Sequence, residues 1–290
     1  MKHLSAARST GRPAGRTLGR SVVAPALVCA LLQVLPGVAV AATPTMAVSR
    51  PAAARQDDPK PDKRDEVKTL VATLKGHMGK RGKEDREAVA LIDTAIKEFG
   101  VSGPKDREAL AKVLGEAFKQ RRKPNAEGVA DNQLYLAAAI ALGEMGPESI
   151  PVLTHWIGQK DLRDDMNVQR QLILSLGKSK DKAAVKPLID LLEHHQSIVQ
   201  AAAAEALANF AHLELEDRKE IFKKVVDQLT AIKGAVDSDP NDTTSRERYD
   251  AVRAPMRSVL KIMSKQDFSE PSEWRSWWNN NKNKDWDTLS

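Results

Sequence analysis

The chain has 290 residues, enough for one large domain or two ordinary ones. Aromatics are only 4% and alanine and leucine supply much of the 41% hydrophobic share, which favours packed helices over a β-sandwich or barrel; 29% charged residues fall short of wholesale disorder. The net charge of +6 is a poor argument for nucleic acid, because residues 1–41 hold five Lys and Arg and no acid, and the remainder has 40 basic against 39 acidic residues.

Residues 1–41 read as an export signal. A basic stretch runs to Arg20, an apolar run follows from Val22 to Val40, and Ala39-Val40-Ala41 supplies a small-x-small cleavage pattern. Cleavage near Ala41 is expected, leaving a periplasmic or secreted protein with no membrane span. The alternative is a retained anchor, since the run approaches the roughly 20 residues that cross a bilayer. Pro25, Pro36 and Gly37 favour cleavage. Ala26 stands where a lipoprotein signal would place Leu before Cys29, and no Arg-Arg pair marks a twin-arginine signal. Cys29 is the one cysteine, so a cleaved chain can form no disulfide, thiol nucleophile or cysteine-ligated zinc site.

Residues 42–63, with Pro44, Pro51, Pro59 and Pro61 among Ala, Ser, Asp and Lys, read as a disordered linker. Residues 64–130 then read as N-terminal helices, a degenerate repeat or a cap. The first helix spans Glu66 to Met78 and ends among Gly76, Gly79 and Gly82. The second runs from Lys83 to Phe99 with Ala88, Leu91, Ile92, Ala95, Ile96 and Phe99 on one face, and Gly100 to Gly103 stops it. Pro104 opens a third, with Leu110, Val113, Leu114 and Phe118 inward, and Arg121-Arg122-Lys123-Pro124 closes it.

A repeat begins at Asp131. Leu134 to Leu142, Val168 to Leu176 and Val199 to Leu207 each set two apolar positions eight apart with small or aliphatic residues between them. Leu142 to Leu176 is 34 positions and Leu176 to Leu207 is 31. The first two stretches are each followed by a helix with proline near its start, Pro151 or Pro187. Gly143 and Gly177 are expected to serve the turn between the two helices of a pair. Helix pairs at a period of 30–45 residues predict a solenoid, because one pair cannot bury its apolar face alone.

Leu142-Gly-Glu-Met-Gly-Pro-Glu-Ser-Ile-Pro-Val-Leu153 and Leu176-Gly-Lys-Ser-Lys-Asp-Lys-Ala-Ala-Val-Lys-Pro-Leu-Ile189 resemble short HEAT repeats of the phycobilisome-lyase type, over about residues 131 to 210. The resemblance implies an all-α fold, a right-handed α-α superhelix. It says little of activity, since such arrays serve as scaffolds, lyases and DNA glycosylases, and function must come from a site. Residues 131–268 are thus expected to form HEAT-like repeats, about three recognisable pairs. Beyond residue 210 a longer helix is expected from Leu215 to Ile232, a polar loop from Asp237 to Asp242, a helix from Thr244 to Ser264 kinked at Pro255, and a Trp-rich cap over 269–290.

Trp274, Trp277 and Trp278 share a helical face. They predict either a cap over the last repeat or an exposed aromatic patch for a polysaccharide or protein. The loop Asp237 to Asp242 alternates oxygens as a calcium loop does, but Asp242 stands where Gly is needed and Arg248 where Glu is needed, so a solvated turn is expected. His194 and His195 follow Asp190, but adjacent histidines diverge by about 100° on a helix, against a metal site. No Gly-x-Ser-x-Gly, His-Glu-x-x-His or P-loop occurs. Among exposed positions of the second helices, expected on the concave surface, stand His155, Lys186, Asp190, Glu193, Lys223 and Lys224, mixed in sign and suited to a protein partner rather than a polyanion. The expectation is a non-enzymatic exported scaffold, without cofactor or metal, binding a protein. The alternatives are a glycan-binding module built on the tryptophans, and a lyase or other HEAT-fold enzyme with an unrecognised site. Nucleic acid is disfavoured.

Overall fold

The computed structural model describes residues 61–122 and 131–289, all within one of the two units into which the chain divides, Gln56–Ser290. The export signal and cleavage site expected over residues 1–41, and residues 42–60, lie outside the described residues. Eleven α-helices appear among those described, joined by turns of which several are single 3-10 turns.

The first three helices follow the spacing of their apolar residues. α1 (Asp65–Met78) buries Val67, Leu70, Leu74 and Met78, and α2 (Asp85–Val101) buries Ala88, Ile92 and Ala95. α3 (Pro104–Gly115) begins on its proline, whose missing N–H costs nothing at a helix start. Its first turn is stapled to the preceding chain: Asp106 accepts from the backbone N–H groups of Lys63 (2.9 Å) and Arg64 (3.0 Å), while Asp62 accepts from those of Lys105 (2.9 Å) and Asp106 (3.2 Å).

The repeats follow as α4 (Gln133–Glu144) with α5 (Ile150–Trp156), α6 (Met166–Lys178) with α7 (Val185–Leu191), and α8 (Ser197–Leu207). Pro151 and Pro187 lie in the first turns of α5 and α7, within helices of seven residues. α9 (Leu215–Ser238), α10 (Thr243–Ser264) and α11 (Pro271–Asn281) complete the order. α9 runs beyond the expected end at Ile232, since nothing before Asp239 stops it, and α10 continues through Pro255. The acidic loop before α10 is structural, because Asp242 accepts from Thr244 N (2.9 Å) and Ser245 N (3.2 Å) and so caps that helix.

The helices form two layers. α2, α4, α6, α8 and α10 pack side by side in one, and α1, α3, α5, α7, α9 and α11 succeed one another in the other. From α1 to α10 each helix of one layer packs on a helix of the other, while α11 packs on α9, so every added pair buries the apolar face its predecessor leaves open. Leu110, Leu142, Leu172, Leu188, Leu207 and Leu260 are fully buried members of one continuous core.

Gly143 and Gly177 do not serve turns. They lie inside α4 and α6, where neighbouring helices touch backbone to backbone. A Cβ on Gly143 would stand 3.0 Å from the Cα and Cβ of Ser175, and one on Gly177 would stand 2.7 Å from Ala206 Cβ and 2.8 Å from its Cα and O. Ser175 and Ala206 each stand two residues before the position equivalent to the glycine, so the contact repeats in step with the array.

Candidate functional site

The six polar candidates, five charged residues and one histidine, all belong to one layer. His155 lies on α5, Lys186 and Asp190 on α7, Glu193 in the turn after α7, and Lys223 and Lys224 on α9; all are exposed. The structure brings two of them together directly, Lys186 and Asp190 one turn apart at 3.3 Å. Lys223 pairs with Asp227 at 2.8 Å. Such exposed pairs each contribute about 0.3–0.5 kcal/mol, so they leave these groups available to a partner. Asp227 also receives Arg275 of α11. Burial pushes its carboxyl up, but the hydrogen bonds from Lys223 and Arg275 prevail and hold it below the ordinary aspartate range.

The tryptophans divide. Trp274 is fully buried, and Trp277 and Trp278 are half-buried. Phe222 of α9 is the centre of the cluster: its ring centroid is 6.1 Å from Trp274, 5.3 Å from Trp277, 5.7 Å from Trp278 and 5.2 Å from Trp286. Trp274 is therefore packed into α9 and withdrawn from any exposed patch, which corrects its place among partner-binding candidates. Trp277 retains some exposure in a shallow cleft of about 380 Å³ with Phe268, Ser276 and Asn280. The tail beyond α11 falls within the cap expected over 269–290, but its individual contacts were not foreseen. Trp286 is buried there, its Nε1 donates to Asn281 O at 2.9 Å, and Asp287 accepts from Arg218 Nη2 at 2.5 Å.

A second missed feature is the edge where the first layer's helices begin. Arg122, expected merely to end a helix, is buried. Its Nε and Nη2 donate to both oxygens of Asp85, at 2.9 and 3.0 Å, and Nη1 donates to Ala117 O. Burial works against its charge, yet hydrogen bonds to Asp85 and Tyr135 raise its pKa above the ordinary arginine value. Tyr135, Gln169 and Gln200 occupy one repeat position and do one job. Tyr135 OH donates to Gln120 O (2.6 Å), Gln169 Oε1 accepts from Gly158 N (2.8 Å) and Gln200 Nε2 donates to Leu192 O (2.6 Å). Each fastens the residues just after the preceding second-layer helix. The signal was present as the polar residue beside Leu134, Val168 and Val199.

Three clefts open along this edge. One of about 510 Å³ is lined by Arg81, Lys83, Arg121 and Arg122, one of about 620 Å³ by Arg121, Arg122, Lys160 and Arg163, and one of about 490 Å³ by Arg163, Asp164, His194 and His195. His194 and His195 follow α7 in a turn with ring centroids 4.2 Å apart, and partial burial together with His195 lowers the pKa of His194. Among the described residues no three His, Cys, Asp or Glu side chains are disposed to hold a metal ion, and no helix is long and apolar enough to cross a membrane.

Among known families, that of HEAT repeats matches residues 125–208 and again 160–252. No curated protein matches the chain. The matched segments cover α4 to α9 whole and extend into α10, a stretch that includes the glycine contacts and polar fastenings. This stretch of the chain is thus similar to HEAT repeats, and the described fold is an all-α, HEAT-like solenoid.

Proposed function

We propose that the protein is a non-enzymatic scaffold that binds another protein through its concave surface, along α5, α7 and α9, and that it works outside the cytoplasm after loss of residues 1–41. The supporting observation is that five charged candidates, mixed in sign, stand exposed with His155 on α5, α7 and α9 and in the turn after α7. A repeat array offers such a surface without a catalytic pocket, and mixed charge sets register and suppresses wrong partners. The test is affinity capture on the full chain and on a double reversal, Lys186→Glu with Lys224→Glu, against the source cells' envelope and secreted fractions. A partner retained by the former and lost by the latter supports the reading, and identical captures overturn it. N-terminal sequencing of the protein recovered from those fractions tests export, with a start near Ala42 expected.

A second reading rests on Trp277. Its partly exposed ring beside Asn280 and Ser276 combines an apolar face with free amide and hydroxyl groups, a composition suited to a sugar ring. Quenching of tryptophan fluorescence by a soluble polysaccharide, abolished in Trp277→Ala, would support it; no response in the wild type would remove it.

A further inference from the structure

The entry to α8 is built differently from the entry to α6. Asp165 opens α6, and its carboxylate accepts from Val168 N at 3.1 Å. Gln196 opens α8, and its side chain caps nothing. The turn of residues 192–196 is held at its two ends by other means. Gln200 Nε2 donates to Leu192 O at 2.6 Å, and His194 Nδ1 accepts from Gln196 N at 3.1 Å.

The second of these bonds fixes the state of the ring. A backbone N–H needs a lone pair opposite it, so Nδ1 carries no proton and the neutral imidazole keeps its proton on Nε2. A proton on Nδ1 would set two N–H groups against each other and break the bond.

No acid is bonded to the ring to favour its charged form. His77 meets Glu84 at 2.9 Å, whereas His194 has no carboxylate partner among the described residues. The charged and titratable groups around the turn come from three directions. Within it, the His195 ring lies 4.2 Å from that of His194, and Glu193 is exposed. From the loop between α5 and α6, Arg163 and Asp164 line the cleft they share with both histidines, with Arg163 Nε standing 3.8 Å from Asp164 Oδ1. From α10, Arg248 Nε donates to Gln200 Oε1 at 3.0 Å. His195, Arg163 and Arg248 oppose a positive charge on His194, and Glu193 and Asp164 favour one without bonding it. Burial, and after it His195, lower the pKa of His194, so the ring is neutral at pH 7.

We infer that the turn between α7 and α8 is an acid-sensitive latch, closed while His194 accepts from Gln196 N and released when Nδ1 takes a proton. The release is local to this junction. One repeat earlier the equivalent tie, from Gly158 N to Gln169 Oε1 at 2.8 Å, contains no titratable group. The latch acts within the array, whichever face binds a partner.

Hydrogen exchange of the Gln196 amide, read by NMR on the full chain at about pH 7.5 and about pH 5, on either side of the ordinary histidine value, is the test. Each rate is divided by that of the unstructured chain at the same pH, because amide exchange itself varies with pH. Protection of Gln196 should fall about three- to tenfold at the lower pH, the effect of losing one hydrogen bond, while the Gly158 amide keeps its protection. His194→Asn supplies an oxygen acceptor that does not titrate and should hold the protection at both pH values. His194→Ala supplies none and should lack it at both. Equal protection of Gln196 at the two pH values in the wild type overturns the inference, as does a fall of the same size in His194→Asn. A parallel loss at Gly158, or loss of the helical circular dichroism signal at about pH 5, also overturns it, since either would mean general loosening of the array.

Discussion

Replacing Gly177 by alanine tests whether close approach of α6 and α8 sets the array's spacing. The new Cβ would lie 2.7 Å from Ala206 Cβ and 2.8 Å from its Cα and O, whereas ordinary contact begins at 3.4 Å. Two of the three obstructing atoms are backbone, so no rotamer change relieves them, and the helices must part by at least 0.7 Å. Overpacking of this kind costs about 1–3 kcal/mol. Alanine's helix preference returns up to about 1 kcal/mol. The net expectation is a loss of about 1–2 kcal/mol, or roughly 2–8 °C in melting temperature for a chain of this size. Gly234 provides the control: it lies inside α9 and a Cβ there meets nothing within 4 Å, so Gly234→Ala should gain up to about 1 kcal/mol. Gly143→Ala, with its nearest contacts at 3.0 Å, should fall between them. Urea titrations of the three variants, followed by far-ultraviolet circular dichroism, give the order directly. Gly177→Ala as stable as Gly234→Ala would refute the claim that these glycines are spacers.

Three further perturbations have definite signs. Arg122→Ala strands the buried Asp85 carboxylate and should cost about 3–5 kcal/mol in urea denaturation, while the added change Asp85→Ala should recover part of the loss; a double variant worse than the single would refute the buried pair. Trp286→Ala removes a buried ring from Phe222 and should cost about 3–5 kcal/mol and raise iodide quenching of the remaining tryptophans; unchanged quenching would mean the tail does not seal the cluster. Because the His194 pKa is lowered in the folded protein, the unfolded chain binds the extra proton first, so stability should decline as pH falls through about 6.5. His194→Gln should flatten the melting temperature over that window, and an unchanged slope there would contradict the assignment.

Most helix positions were legible because their signals are local. The apolar spacing of α2, the prolines opening α3 and α11, and the polar loop before α10 depend on near neighbours in the chain. The repeat was legible for the same reason, since a helix pair is a local unit used again. Features that depend on distant partners were not. Gly143 and Gly177 resemble turn glycines because both stand near helix ends, and only the approach of Ser175 and Ala206 from the next repeat reveals their use. Arg122 looks like one member of a surface basic run; its acid lies 37 residues earlier in the chain. For the tryptophans, helical spacing placed three on a shared face, but Phe222 and the returning tail decide which of them water can reach.

The fastenings made by Tyr135, Gln169 and Gln200 also say where this chain tolerates a change of length. Each grips residues immediately behind the preceding helix, leaving the rest of the loop outside the grip. Tyr135 to Gln169 is 34 residues and Gln169 to Gln200 is 31, and the longer loop between α5 and α6 absorbs the difference. Within that loop the exposed Lys160 and Asp161 are therefore the natural point for an insertion, while the neighbouring Leu162 is buried in the core and has to be kept. The exchangeable module in the history of such an array runs from one fastening residue to the next, since a block cut there inherits both a grip and something to be gripped.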